Sequence, residues 1–310
     1  MTKKRVVITG GAGFIGSHTV DEFLNHGYEV VVIDNLRPNF KENLQHVIHR
    51  IEFINGDIRD EKLLASVFKE GDIIVHLAGF VSVPQSFNHP AVAYDVNVSG
   101  GHKVYMAAIH AKAKRVVSAS SASVYGKPKS KVIREDHPTS ALSPYALHKI
   151  QIEEYGKLYS SAFEIESVAM RFFNVYGPRQ FPAGDYSAVV RSFMDKAYSN
   201  QQPVINGKGD TVRDFIYVKD VARALRLASE IKMDKNKKHE VFNIATGKPT
   251  TIKRLWLTIC EVMNKKIKPT YGPTRVGDIK VSLADVSKAR KFLKFEATTS
   301  LVDGLSTFLK

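Results

Sequence analysis

One cysteine and one tryptophan stand in a chain of 310 residues. Cys260 has no second cysteine to pair with and no histidine near it at metal-ligand spacing, which excludes a disulfide framework and a cysteine metal site. A reducing cytoplasm is therefore the expected setting. Within the helical-looking stretch from Leu255 to Met263, Cys260 reads as a small core residue. Long apolar runs are also missing. None approaches the ~18 residues needed to cross a bilayer. After Met1-Thr-Lys-Lys-Arg5 the apolar Val6-Val7-Ile8 gives way to glycines too soon for a secretory core, so it reads as a first strand. There is no internal repeat and no low-complexity linker. With 44% hydrophobic and 25% charged residues the chain has the composition of a folded globular protein, long enough for one large domain or two unequal ones. A net charge of +14 raises the question of a nucleic-acid or acidic-membrane partner. The lysines, however, fall in short scattered groups such as Lys235, Lys237, Lys238 and Lys265, Lys266, Lys268, without interleaved aromatics. A solvated basic face is the reading adopted, with no nucleic acid and no membrane as partner.

What is present begins with alternation. Apolar runs at Arg5 to Thr9, Glu29 to Ile33, Ile51 to Ile54 and Ile73 to His76 read as strands separated by helical patterns, the signature of βαβ units on a doubly wound parallel sheet. Between the first strand and the first helix lies TGGAGFIGSH, which contains Gly10-x-x-Gly13-x-x-Gly16 and, in a second frame, Gly11-x-Gly13-x-x-Gly16. Glycines there let the backbone turn tightly and approach a pyrophosphate, whose charge the helix N-terminus meets. Asp34 ends the second strand about 20 residues later, where a carboxylate accepts the adenosine ribose hydroxyls and repels a 2′-phosphate. NAD is therefore expected over NADP, Arg37 being the nearby residue that would suit the latter. Asp57, just after the third strand, is within reach of an adenine amino group or else caps a helix.

Downstream, SPYALHK places Tyr145 and Lys149 four residues apart after the helix-start pair Ser143-Pro144, so they share one helical face. An ammonium close to a phenol favours the phenolate and is expected to bring Tyr145 down toward use as a base. Upstream, the apolar Val116-Val117 runs into SASSASVYG, a strand end rich in hydroxyls and free of carboxylates. Ser121, at its C-terminal edge, can hydrogen-bond the same substrate hydroxyl and orient it.

At this point the chain resembles the extended short-chain dehydrogenase/reductases, and within them the nucleotide-sugar 4-epimerases. The resemblance runs almost end to end, through HLAGFVSVPQS, SASVYG, SPYALHK, RFFNVYGPRQ, GKGDTVRDFIYVKDVA and GDIKVSLADVSKA. It implies a Rossmann domain over 1–175, with a returning segment about 214–247, and a smaller mixed α/β substrate domain from 176–213 and 248–310. It implies tightly held NAD, bound by Gly10, Gly13, Phe14, Ile15, Gly16, Asp34, Asn35, Asp57, Ile58, Leu77, Ala78, Gly79, Asn97, Tyr145 and Lys149. Ser121, Tyr145 and Lys149 would be catalytic, with Lys149 also donating to the nicotinamide ribose. Two departures appear. Gly79 stands where relatives often carry alanine, which should only loosen packing, and NLRPNF after Asp34 replaces the usual small-residue turn.

The resemblance also implies a reaction. NAD would take a hydride from C4 of a UDP-hexose while Tyr145 takes the hydroxyl proton, and the 4-keto sugar would turn and receive the hydride on its other face. Related dehydratases and decarboxylases carry an acid after the catalytic Ser/Thr, where this chain has Ala122 and Ser123, so chemistry should stop at hydride removal and return. Asn174 in RFFNVYG, where UDP-glucuronate 4-epimerases usually have threonine, points the same way. On the substrate side, Arg213 and Arg275 are candidates for the pyrophosphate. Asn174 and Asn206 would hold sugar, phosphate or uridine groups, Ala188 and Val189 would present backbone to uracil, and Asp278 would take ribose hydroxyls. Ser82 and Ser123 complete the expected substrate contacts. Ser282 aligns with a position beside the sugar C2 substituent; a serine there leaves room for an acetamido group, which implies UDP-GlcNAc and UDP-GalNAc as well as UDP-glucose and UDP-galactose. A homodimer through helices spanning roughly 91–110 and 144–160 is expected. The alternatives are a UDP-glucuronate 4-epimerase, another sugar-nucleotide oxidoreductase, or a protein that senses NAD without catalysis and would not need the Tyr/Lys/Ser set.

Overall fold

Branched apolar runs form the frame of the protein. In a computed structural model, which describes residues 4–36, 41–180, 189–234, 236–274 and 279–309, the chain forms β1 (Arg5–Thr9), β2 (Glu29–Asp34), β3 (Glu52–Asn55), β4 (Ile73–His76), β5 (Arg115–Ser121) and β6 (Glu166–Phe172). Smaller strands follow: β7 (Asn174–Tyr176), β8 (Val204–Asn206), β9 (Val212–Arg213) and β10 (Phe215–Tyr217). β11 (His239–Ile244) returns to β6, and β12 (Thr250–Thr251), β13 (Thr270–Gly272) and β14 (Val281–Ser282) complete the set. The first four strands lie where the apolar runs put them, to within one residue at an end.

Seven strands make one parallel sheet in the order β11-β6-β5-β4-β1-β2-β3. Order reverses between β1 and β4, and in open α/β sheets the crevice outside the carboxyl ends at that point is where ligands bind.

Both faces of the sheet are covered, which is why its strands are apolar almost throughout. Ten α-helices among the described residues are α1 (Phe14–Asn25), α2 (Glu61–Val67), α3 (Val83–Asn88), α4 (Pro90–Tyr94), α5 (Gly101–His110), α6 (Pro144–Ala162), α7 (Val189–Tyr198), α8 (Val218–Glu230), α9 (Ile252–Val262) and α10 (Leu301–Ser306). Strand alternation sends Val6, Ile8, Val32 and Val117 toward α1 and α8, and Val7, Val31, Ile33 and Val116 toward α2, α5 and α6. A further core lies under α7, α9 and α10, centred on Phe193, Trp256 and Leu305. Cys260 is buried there, as its place in a helix core required. Among the described residues no helix is long and apolar enough to cross a membrane.

α4 and α5 are joined by a π-helical turn, Asp95–Gly100. Such turns are rare and cluster at functional sites. Here the turn rotates Asn97 inward, toward the loop after β4.

Candidate active site

The glycine turn leaves β1 with Gly10 at φ +71°, a conformation that favours glycine. A Cβ at Gly10 would lie 2.6 Å from the Ala78 nitrogen, so the turn and the loop after β4 touch backbone to backbone. A Cβ at Gly16 would strike the Gly10 carbonyl. Gly13 is the N-cap of α1 and brings no side chain to its free N–H groups, which leaves the first turn, Phe14, Ile15 and Gly16, presenting amides to an anion. Two residues fix this turn from outside. Asp34 at the end of β2 accepts from Ala12 N at 3.0 Å and Leu36 N at 2.9 Å. Asn43, which sequence reasoning missed, is buried and donates to Ala12 O at 2.9 Å.

The strand ends beside it gather the other expected dinucleotide residues. Asn35 donates to Asp57 at 3.2 Å, and Arg59 grips the same carboxylate through Nε at 2.9 Å and a terminal nitrogen at 2.8 Å. That guanidinium holds the Asp57 carboxyl down at about 2. Asp57 does not cap α2, because Asp60 does, accepting from Lys62 N and Leu63 N. Ile58 is buried against Gly100. After β4, Leu77 N donates to Thr9 O and Ala78 N to the Thr9 hydroxyl, which also meets His76 Nδ1 at 2.8 Å. Burial holds His76 down at about 3, so it is neutral.

Gly79 departs from expectation. A Cβ there would not fill a gap; it would lie 2.9 Å from Asn97 Oδ1. The Asn97 carboxamide occupies that space because it clamps the backbone of Phe80, accepting from its N–H at 2.7 Å and donating to its carbonyl at 3.0 Å.

The reacting face is built by β5 and α6. Ser143 caps α6 by accepting from Ala146 N at 3.1 Å, Pro144 occupies the first turn, and Tyr145 and Lys149 follow one turn apart. Ser86, unmentioned by the sequence reading, accepts from Tyr145 N at 3.2 Å and so fixes the helix start. Ser82 caps α3 nearby. Burial pushes the Tyr145 phenol up, and a hydrogen bond with Ser121 pulls it the other way. The expected lowering by Lys149 is not met. The ammonium sits 5.8 Å from the Tyr145 ring centroid and is directed at the Ala119 carbonyl, 2.8 Å away, while burial dominates the phenol. Lys149 is itself brought down to about 8 by burial, with the Glu153 carboxylate acting in the opposite sense.

Of the serines ahead of Tyr125, Ser121 accepts from Ser123 N at 3.2 Å, which turns the chain sharply after β5. Ser123 Oγ is buried and, among the described residues, has no hydrogen-bond partner. Ser120 points elsewhere, into a buried network that sequence reasoning did not anticipate. Its hydroxyl donates to Glu153, which pairs with Arg171 at 2.6 Å; Arg171 donates to the Tyr125 hydroxyl at 2.9 Å, and Tyr125 donates to Asn243 at 2.6 Å.

Three substrate-side residues, Asn174, Arg213 and Ser282, meet at a second hub. Ser282 on β14 pairs in register with Arg213 on β9. The Arg213 guanidinium donates to Ile279 O at 2.7 Å. Asp214, fully buried, accepts from Thr246 N, Thr246 Oγ1 and Gly247 N at 2.9, 2.6 and 2.9 Å, tying β9 to the segment after β11. Asn174 opens β7 with its carboxamide donating to Asp214 O at 3.1 Å. Asn206 closes β8 and Val189 opens α7. Arg37, Ala188, Arg275 and Asp278 lie outside the described residues. No cluster of metal ligands occurs among the described residues.

This arrangement, a glycine turn at the sheet's switch point facing a Ser/Tyr/Lys set, has a counterpart among known proteins. The model of the NAD dependent epimerase/dehydratase family matches residues 6–245. The chain belongs to that family. The family match runs from β1 to the residue after β11, taking in the glycine turn, Ser121, Tyr145 and Lys149 and stopping short of β14. A UDP-glucose 4-epimerase of Mycolicibacterium smegmatis is 34% identical over 97% of this chain and 96% of its own length. A structure of UDP-N-acetylglucosamine 4-epimerase from Methanobrevibacter ruminantium, solved with UDP-N-acetylmuramic acid, is 36% identical and superposes with a TM-score of 0.92, covering 100% of this chain and 99% of that one. The Thermus thermophilus UDP-glucose 4-epimerase, solved with NAD, is 30% identical at a TM-score of 0.86, covering 98% and 97%.

Proposed function

We propose that this protein interconverts UDP-hexoses by NAD-dependent epimerisation at C4. The observation that carries the reading is the meeting of Ser121 with Tyr145 and Lys149 beside the switch point of the sheet, with no acid in the segment after Ser121. Among the described residues, the carboxylate that touches the serine segment is Glu153, and it is engaged by Ser120 and Arg171. Removing or adding a proton at a second carbon would need an acid or base that this segment does not supply.

The cradle fits a dinucleotide: glycines where a Cβ would clash, uncapped amides at the start of α1, and the Asp34 carboxylate at the end of β2. Gly10, Gly13, Phe14, Ile15 and Gly16 would hold the pyrophosphate, Asp34 and Asn35 the adenosine ribose, Asp57 and Ile58 the adenine, and Leu77, Ala78, Gly79 and Asn97 the inner half. Bound NAD supplies a reversible hydride acceptor at the sugar C4. Tyr145 takes and returns the hydroxyl proton, Ser121 orients that hydroxyl, and the Lys149 ammonium would donate to the nicotinamide ribose. Ser82, Ser123, Asn174, Val189, Asn206, Arg213, Arg275 and Asp278 would hold the UDP-sugar. On this reading residues 1–175 and about 214–247 bind NAD, and 176–213 with 248–310 bind substrate.

Ser282 supports the finer assignment that N-acetylated hexoses are accepted, since its small side chain stands in register beside Arg213. Exposed apolar residues on α4 and α6, namely Val92, Tyr94, Leu147 and Leu158, support a homodimer through those helices. A single buried thiol suits a cytoplasmic enzyme. The deciding experiment incubates purified protein with UDP-glucose, UDP-GlcNAc or UDP-glucuronate, without added cofactor, and separates the sugar nucleotides by chromatography. Galacto-configured products from the first two support the reading. Conversion of UDP-glucuronate alone, or of none, refutes it.

A further inference from the structure

Two consecutive residues of β5 are tied to two consecutive turns of α6. Ala119 O accepts from Lys149 Nζ at 2.8 Å, and the Ser120 hydroxyl donates a short hydrogen bond to Glu153 Oε1. The next residue is Ser121. Any slip of α6 along β5 would therefore break both ties and separate Tyr145 from Ser121 at once. Glu153 is buried, and Arg171 grips it from β6 through Nε at 2.9 Å and a terminal nitrogen at 2.6 Å. A buried ion pair of this kind stabilises a fold no better than apolar residues of the same volume, so its place beside the reacting face calls for another reason.

Residues four apart on a helix carry their Cβ atoms about 5–6 Å apart, which sets Glu153 against Lys149. Among the described residues, the other groups facing Lys149 bring no negative charge. His76 on β4 and His148 on α6 are held neutral by burial, Tyr145 is a protonated phenol, Asn97 is a carboxamide, and Arg171 stands behind Glu153. Glu153 is the carboxylate whose charge acts on Lys149.

We propose that Glu153 is a positioning residue for the reaction, locking the Tyr145/Lys149 face of α6 in register with Ser121 through Ser120 and setting a carboxylate one helical turn from the Lys149 ammonium. The inference rests on the epimerase reading, and its test separates the two. Titration of Lys149 is followed by NMR of 13Cε-labelled lysine in the full chain, the signal being assigned by its loss in Lys149→Arg. That readout needs no substrate, whereas failure of the epimerase reading would appear as a parent protein without turnover. Glu153→Gln should lower the Lys149 midpoint by about one pH unit and move the alkaline limb of kcat the same way, with KM for the UDP-sugar little changed. Glu153→Asp keeps the charge but falls a methylene short of Ser120, and should retain the midpoint while losing about tenfold in kcat. Ser120→Ala should lose kcat to a similar extent with the alkaline limb unmoved. If Glu153→Gln fails to fold, the pair Glu153→Met with Arg171→Met removes both charges together and carries the same titration. An unchanged Lys149 midpoint once the carboxylate is gone overturns the charge role. Parent-like kcat in both Glu153→Asp and Ser120→Ala overturns the register role.

Discussion

Replacing Gly79 by alanine tests how the loop after β4 is held. An alanine that fits its backbone gains roughly 0.4–1 kcal/mol by restricting the unfolded chain, and Gly79 is not among the positive-φ glycines, so that gain is open to it. The structure opposes it. The new Cβ would lie 2.9 Å from Asn97 Oδ1, and this oxygen cannot retreat without loosening its 2.7 Å bond from Phe80 N and, with it, the 3.0 Å bond to Phe80 O. Two net hydrogen bonds at about 1 kcal/mol each outweigh the entropic gain. Gly79→Ala should therefore destabilise the protein by about 1 kcal/mol, the difference of those two magnitudes. Urea unfolding of Gly79→Ala, Asn97→Ala and the double variant measures it. With Asn97 truncated, the obstacle is gone and the alanine should become stabilising, giving a coupling of roughly 1–2 kcal/mol. NAD retention should fall in Gly79→Ala, because the clamped loop abuts the glycine turn at Ala78. A Gly79→Ala protein as stable as its parent, with no coupling to Asn97, would show that the carboxamide moves at no cost and that the clamp is incidental.

Other expectations concern the reaction itself. Tyr145→Phe removes the base and little volume, and should keep UDP binding by calorimetry while losing at least ~10²-fold in kcat; near-parental turnover would mean that another group is the base. Ser121→Ala should cost about tenfold in kcat, because the unpartnered Ser123 hydroxyl can substitute in part. If Ser123→Ala proves the more damaging change, the two roles are exchanged. Ser282→Tyr should abolish turnover of UDP-GlcNAc and UDP-GalNAc while sparing the plain hexoses, since steric overlap discriminates far more than the ~1–3 kcal/mol of one methylene contact; equal losses on both pairs refute the gatekeeper.

What could be read from the sequence was what depends on local spacing. The glycine turn, Asp34 at the end of the next apolar run about 20 residues on, and the Tyr145/Lys149 pair each show in a local pattern. The clamp of Asn97 on Phe80 and the grip of Arg171 on Glu153 do not, because they are set by a π-helical turn in one case and by the stacking of β5, β6 and α6 in the other. Asp57 shows a middle case. Two aspartates precede α2, and only Asp60 stands three residues before an amide it can cap, a spacing the sequence does display.

The serine segment carried more information than its chemistry alone suggested. Strand residues alternate between faces, so Ser118 and Ser120 must look to one side and Ser121 to the other. The first side is packed by α5 and α6, and a hydroxyl buried there has to find a polar partner or cost the desolvation of an unmade bond. Ser118 meets the Tyr105 hydroxyl at 3.5 Å and Ser120 meets Glu153. Both partners lie on helices whose apolar pattern hides them, Tyr105 among valine and alanine, Glu153 one turn beyond the catalytic lysine. A strand end rich in hydroxyls thus implies two separate demands: one for a substrate beyond the sheet edge, and one for polar residues inside the helices that cover it.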